Sequence, residues 1–244
     1  MKNSKFKCIN CGYCCKNMQN LALFEWEKDL LLSLDPSIKI IPGNKIKYKN
    51  TEIILYWGLQ TKPQPLSKSK AKSIQKASKN DKISKISSEE SCPFLSFEYG
   101  VSKCNIYENR PLVCRAFPLF HLGFKFMEGM ISIDCPEHII PFNQDKKINK
   151  GEFYSLLYSV YDNTFLNAFR LELARVWISD VAELVLNYLK ENEIKISERE
   201  IGLLELAVKI GVLTEDEIEK EINFIYSEEI QDMFNQNLNF KSSI

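Results

Sequence analysis

The chain has 244 residues, with 32 basic and 32 acidic side chains, so its formal net charge is zero. At 45% hydrophobic and 26% charged it has the balance of an ordinary globular protein, sized for one large domain or a domain with a helical appendage. No run of about 20 apolar residues occurs, which argues against a membrane-spanning helix and a membrane partner.

The N-terminal stretch 1–10 is polar and basic and lacks the apolar core of a signal peptide, so a cytoplasmic location is expected. Thiols are usually reduced there, and clustered cysteines point to metal or redox chemistry before disulfides. Four of them come at once: Cys8, Cys11, Cys14 and Cys15, in the run C-I-N-C-G-Y-C-C. A spacing of three sets successive sulfurs around a tight turn, where they can converge on one ion.

Leu21–Leu34 has apolar residues at helical intervals and stops before Asp35-Pro36, so a helix is expected over all of it. Ile38–Ile41 and Ile46–Trp57 are β-branched and aromatic, and Pro42-Gly43-Asn44 between them reads as the turn of a hairpin. Residues 61–90 are rich in lysine and serine with almost nothing to bury, which reads as a flexible basic insertion. Residues 91–142 return to cysteine, proline and aromatics, so their regular elements should be short.

From Gly151 onward the pattern is helical, with Phe153–Leu189 as one long helix and at least three helices in all. Ser197–Glu200 and Thr214–Glu217 both match the capping box, and Gly211 suits a helix stop. The expected class is α+β, mainly α. A small irregular cysteine-rich metal-binding core with short strands (1–60 and 91–150) is joined to a helical C-terminal region (151–244), with 61–90 as the insertion.

The remaining cysteines are Cys92, Cys104, Cys114 and Cys135. Zinc sites usually take close thiolate pairs, whereas iron–sulfur cubanes favour C-x2-C-x2-C with a remote Cys-Pro. Cys8, Cys11 and Cys14 match the triple, and Cys92-Pro93 and Cys135-Pro136 match the remote pair. The spacing therefore favours iron–sulfur, 4Fe–4S in type, over zinc. Neighbouring side chains of an extended segment point to opposite faces, so Cys14 and Cys15 are expected to serve two centres, or one site and a redox-active spare. Two sites of four cysteines, or one site with a reactive or disulfide pair, both stay open.

Arg110 and Arg115 flank Cys114, where a cation lowers a thiol pKa and offsets cluster charge, which makes them candidate cofactor-binding residues. The bland reading pairs them with carboxylates such as Glu108. His138, three residues after Cys135, has metal-site spacing but reads more simply as a turn histidine. His121, in an apolar run, reads as structural. Loading two divalent-equivalent centres on eight thiolates would shift the charge by roughly −4, which weakens any case for nucleic acid.

The run Cys8-x2-Cys11-x2-Cys14-Cys15, then Cys92-Pro93-Phe94-Leu95, then C-N-I-Y-E-N-R-P-L-V-C-R-A-F-P from Cys104 to Pro118, resembles the CxxCxxCC cysteine-cluster family. The resemblance covers 8–15 and about 91–136 and implies zinc or iron chelation. Through the family's similarity to flagellin lysine N-methylases it also implies protein lysine N-methylation, a protein substrate and S-adenosylmethionine. No G-x-G turn occurs among the nine glycines, so that cofactor would need a site of another kind, such as an open iron. Whether the chain is an enzyme stays open. The alternatives are a non-catalytic redox or metal carrier, and a zinc-stapled module that uses the Lys/Ser insertion to contact a protein or nucleic acid.

Overall fold

The computed structural model describes residues 5–9, 11–12, 14–15, 21–63, 90–98, 101–119, 131, 135, 137–140 and 149–232. Most of the Lys/Ser-rich stretch, His121 and Pro136 lie outside the described residues.

Short strands surround one helix in the N-terminal half. β1 (Leu21–Leu23) runs antiparallel to β5 (Trp57–Leu59), which also pairs with β2 (Ile40–Pro42). The helix expected over Leu21–Leu34 is therefore shorter. Its first three residues alternate buried, exposed, buried as a strand does, and α1 spans Glu25–Leu34. Glu27 marks the start, its Oε2 accepting from Phe24 N at 3.1 Å.

The hairpin also falls elsewhere than expected. β3 (Lys45–Tyr48) and β4 (Thr51–Ile54) turn at Lys49-Asn50, with Lys49 at φ 52°. Pro42-Gly43-Asn44 is instead the kink in a longer two-armed ribbon, β2–β3 against β4–β5. There Gly43 N donates to Tyr56 O at 2.9 Å and Leu55 N to Asn44 O at 2.8 Å. A Cβ on Gly43 would stand 2.6 Å from Tyr56 O, so the kink needs glycine.

β6 (Lys62–Pro63) pairs with β7 (Glu90–Ser91), so the chain leaves for the basic stretch and re-enters at one place. β8 (Leu95–Glu98) and β9 (Val101–Cys104) form the next hairpin. A 3-10 turn (Tyr107–Asn109) then leads into α2 (Leu112–Ala116).

α3 (Lys150–Glu191) covers the long helical stretch expected but consists of two helices joined at a kink, where Asp162 is non-helical at φ 40°. Phe153, Leu157, Tyr161, Phe165, Ala168, Leu171, Ala174, Ile178, Val181, Val185 and Leu189 recur every three or four residues and are all buried, an apolar stripe. They pack with Phe24, Ile53, Leu112, Ala116, Ile201 and Leu206 as the main core.

β10 (Glu200–Gly202) pairs parallel with β4, so a strand from the helical half completes an N-terminal sheet. This overturns the capping box at Ser197–Glu200: Ser197 Oγ donates to Glu198 Oε2 and no helix starts there. α4 (Leu203–Lys209) is capped from a distance, the Glu25 carboxylate accepting from Leu204 N and Glu205 N at 3.2 Å each. The second capping box is used. Thr214 Oγ1 accepts from Glu217 N at 3.2 Å, Glu217 Oε2 accepts from Thr214 N at 2.8 Å, and α5 (Glu215–Tyr226) follows. Gly211, at φ 74°, closes α4 as expected.

The class is α+β and mainly α. Among the described residues no helix is long and apolar enough to cross a membrane.

Candidate metal centre

The eight cysteines arrive on several short segments. Cys104 ends β9 opposite Leu95, Cys114 sits in α2, Cys92 follows β7, and Cys14 and Cys15 are helical. Cys8 and Cys11 lie exposed on the N-terminal segment, and Cys135 is buried just before His138.

That segment is fastened at both ends. Phe6 N donates to Val160 O at 2.8 Å, next to the break in α3 at Asp162, and the Phe6 ring lies 5.1 Å from that of Tyr161. At the other end Cys15 O accepts from Cys92 N at 2.8 Å. Between them Gly12, at φ 71°, presses on the β8–β9 hairpin. A Cβ there would stand 2.6 Å from Cβ and Oγ of Ser102 and 3.2 Å from Leu95 Cδ1. Tyr161 also holds the Cys135 segment: its hydroxyl donates to Ile139 O at 2.7 Å and accepts from Ile139 N at 2.9 Å.

All eight cysteines line one cavity of about 80 Å³. One water needs roughly 10–15 Å³, so the space suits a group of several atoms. Its walls are largely apolar, including Leu21, Leu59 and Phe94, and Arg110 is the one cation among the described lining residues. No disulfide joins any of the eight.

The thiols differ sharply. Cys14 is lowered to about 7 by the hydrogen bond from the Cys15 thiol, helped by the Cys15 backbone and Arg110 and opposed by burial. Cys15 is pushed up by its hydrogen bonds to Cys14 and Cys92 and then by burial. Burial raises Cys104 and Cys135, and lifts Cys114 well above the ordinary range. Without a bound cation the cavity resists collecting negative charge. A metal ion reverses that preference, because its charge favours thiolate.

Cys14 and Cys15 do not point to opposite faces. Their backbone is helical rather than extended, and their sulfurs lie 3.9 Å apart. Tetrahedral zinc–thiolate geometry, with Zn–S near 2.3 Å, separates sulfurs by roughly 3.8 Å. Yet among the described residues no three of His, Cys, Asp and Glu close on one point as a preformed single-ion site does.

Arg110 faces the cavity with its guanidinium 3.8 Å over the Tyr107 ring and its Nε donating to Tyr107 O at 2.8 Å. Arg115 does not line the cavity. Its Nε donates to Arg110 O at 2.6 Å and its Nη2 to Glu108 O at 3.0 Å, so it braces the loop carrying Arg110. It meets the Glu108 backbone, not the carboxylate. His138 turns its Nδ1 to Cys135 O at 2.7 Å and is absent from the lining, where Glu137 appears instead.

A family model described as "Putative zinc- or iron-chelating domain", CxxCxxCC, matches residues 7–136, more than half of the chain and all eight cysteines. The chain belongs to the CxxCxxCC family. Binding of zinc or iron is the property attached to this module, and its cysteine residues are those that share the cavity. No curated protein and no solved structure matches the chain.

Sequence reasoning misses Gly12, Tyr161 and Glu27. Gly12 carries a readable signal, a glycine between two cluster cysteines. Tyr161 carries none, because Ile139 is distant in the chain, and Glu27 shows only its local bond to Phe24 N, not its long-range bond to Leu112 N.

Proposed function

We propose that this chain is an iron–sulfur protein that holds polynuclear, thiolate-ligated iron in its eight-cysteine cavity, in preference to a single zinc ion. The observation that carries this reading is the cavity itself: eight thiols around a space for several atoms, with no three donors closed on one point among the described residues. Cys8, Cys11, Cys14, Cys15, Cys92, Cys104, Cys114 and Cys135 are the ligands in this reading. When bound, such a cluster supplies one-electron chemistry or an iron open to an outside ligand. Arg110 offsets the negative charge that the thiolates bring, and Arg115 positions Arg110. Residues 1–60 and 91–150 supply the metal-binding unit, 61–90 interrupt it, and 151–244 support it.

Purification without oxygen, followed by iron, sulfide and zinc analysis and a visible spectrum, tests this. The expected result is iron and acid-labile sulfide in equal amounts, with a broad absorption that bleaches on reduction. A colourless protein carrying zinc and no sulfide contradicts it.

Protein lysine N-methylation from S-adenosylmethionine is the finer reading within this one. It is supported by the similarity of the CxxCxxCC family to flagellin lysine N-methylases and by the placement of Arg110, a carboxylate-binding group, beside a cavity that also borders the exposed Cys8 and Cys11. Transfer of label from S-adenosylmethionine to a lysine-containing protein by the loaded chain supports it. No transfer removes it and leaves the metal centre standing.

A further inference from the structure

A second cavity, of about 180 Å³, lies between α1, the 3-10 turn before α2, and the end of α5. It meets the cysteine cavity at Arg110 and Pro111, which line both, but no cysteine is among its described lining residues. Trp26, Leu30, Leu31 and Pro111 give it an apolar wall, and Leu30, 43% exposed, stands at its mouth.

The polar side of this cleft holds donors that lack acceptors. Arg115 uses Nε on Arg110 O and Nη2 on Glu108 O, which leaves Nη1 with no partner and no ion pair among the described residues. The Tyr226 hydroxyl accepts from Trp26 Nε1 at 3.5 Å, and its own proton has no acceptor among the described residues. A further cation stands behind it, where Arg170 Nη2 donates to Tyr226 O at 3.2 Å. Glu27 is the one acidic group among the described lining residues, and its two oxygens accept from Phe24 N and Leu112 N. Burial pushes its pKa up to about 7, so near neutral pH it opposes an incoming anion less than an ordinary carboxylate does.

We propose that this cleft binds a small apolar carboxylate, its oxygens taken by Arg115 and the Tyr226 hydroxyl and its hydrocarbon part laid against Trp26, Leu30 and Leu31. Charge-assisted bonds from a guanidinium and a hydroxyl are the strong kind that hold a carboxylate. The volume lies below the roughly 300 Å³ at which drug-sized pockets begin, which suits a ligand of few heavy atoms. A free phosphate fits less well, because its remaining oxygens would be pressed against the apolar wall without partners. The inference stands on this cleft and does not depend on which metal the cysteines hold.

Calorimetric titration of the full chain, purified without oxygen, with hexanoate tests this, with hexanamide and hexylamine as controls of equal length. Wild type should bind hexanoate saturably at one site per chain, the amide at least about tenfold more weakly, and the amine not at all. Tyr226→Phe should weaken hexanoate about tenfold, the loss of one hydrogen bond to a charged group. Arg115→Gln should abolish binding. Leu30→Glu, which sets a negative charge at the mouth, should do the same with the melting temperature unchanged. No saturable binding to wild type, equal binding of the amide, or full affinity in Leu30→Glu or Tyr226→Phe overturns the proposal. If Arg115→Gln fails to fold, Leu30→Glu decides, because its exposed side chain supports no core.

Discussion

Glu27 Oε1 accepts a hydrogen bond from Leu112 N at 2.7 Å, which ties a carboxylate buried in α1 to the first residue of the helix that carries Cys114. Its other oxygen accepts from Phe24 N at 3.1 Å. α2 has only five residues, far too few to hold together by its own hydrogen bonds, so this anchor and its packing fix where Cys114 stands. Burial pushes the Glu27 pKa from 4.5 up to about 7, against the pull of both N–H groups and Arg115.

Stability should therefore fall with rising pH through Glu27. Unfolded, the group titrates near 4.5; folded, near 7; between them the folded chain binds more protons. The contribution is full below about 4.5 and is lost by about 7, a change on the order of 3 kcal/mol. Urea unfolding of wild type and Glu27→Gln at pH 5 and pH 8 reads it directly. The variant should gain on wild type at the higher pH, and an unchanged difference contradicts the assignment.

Gly12→Ala should uncouple the N-terminal segment from β8–β9. The left-handed backbone alone costs about 1–2 kcal/mol with a side chain, and the new Cβ meets Ser102 at 2.6 Å. Metal content should fall several-fold with the helical circular dichroism retained. Adding Ser102→Gly should restore part of it, since the space opens while the backbone cost stays. Full loading of Gly12→Ala contradicts this.

Much of the architecture is legible in the chain itself. The α3 stripe from Phe153 to Leu189 and the capping box at Thr214–Glu217 are local patterns, and local hydrogen bonds realise them. The meeting of residues 8–15 with 92–135 is legible too, because cysteine at such spacing has little other use. What fails has a long-range cause. β1 and β10 are three residues each, too short for periodicity to register, and each forms because a distant strand offers its edge. Ser197 has the composition of a cap, but α4 takes its cap from Glu25 across the fold, which no local pattern records. The facing of Cys14 and Cys15 is missed because an extended backbone is assumed where a helical one occurs.

Tyr161→Phe should loosen the segment that carries Cys135. It leaves Ile139 N and Ile139 O without their partner, at a cost of about 1–3 kcal/mol. A lower melting temperature and faster removal of metal by a chelator are expected. Unchanged values for both contradict a role for this hydroxyl.

Loading should acidify the solution. Cys15, Cys104, Cys114 and Cys135 all have raised thiol pKa values, so they hold protons at neutral pH before metal arrives. Metal binding replaces those protons, and apparent affinity should climb as pH rises. Titration of the metal-free chain under a pH-stat measures the release, and loading without it contradicts thiolate ligation by these residues.

X-ray absorption at the metal edge of the anaerobically prepared chain is the most direct test of a polynuclear thiolate centre. The expected spectrum has a sulfur-only first shell and a second shell from neighbouring iron. A sulfur shell around isolated zinc, with no metal–metal scattering, contradicts it.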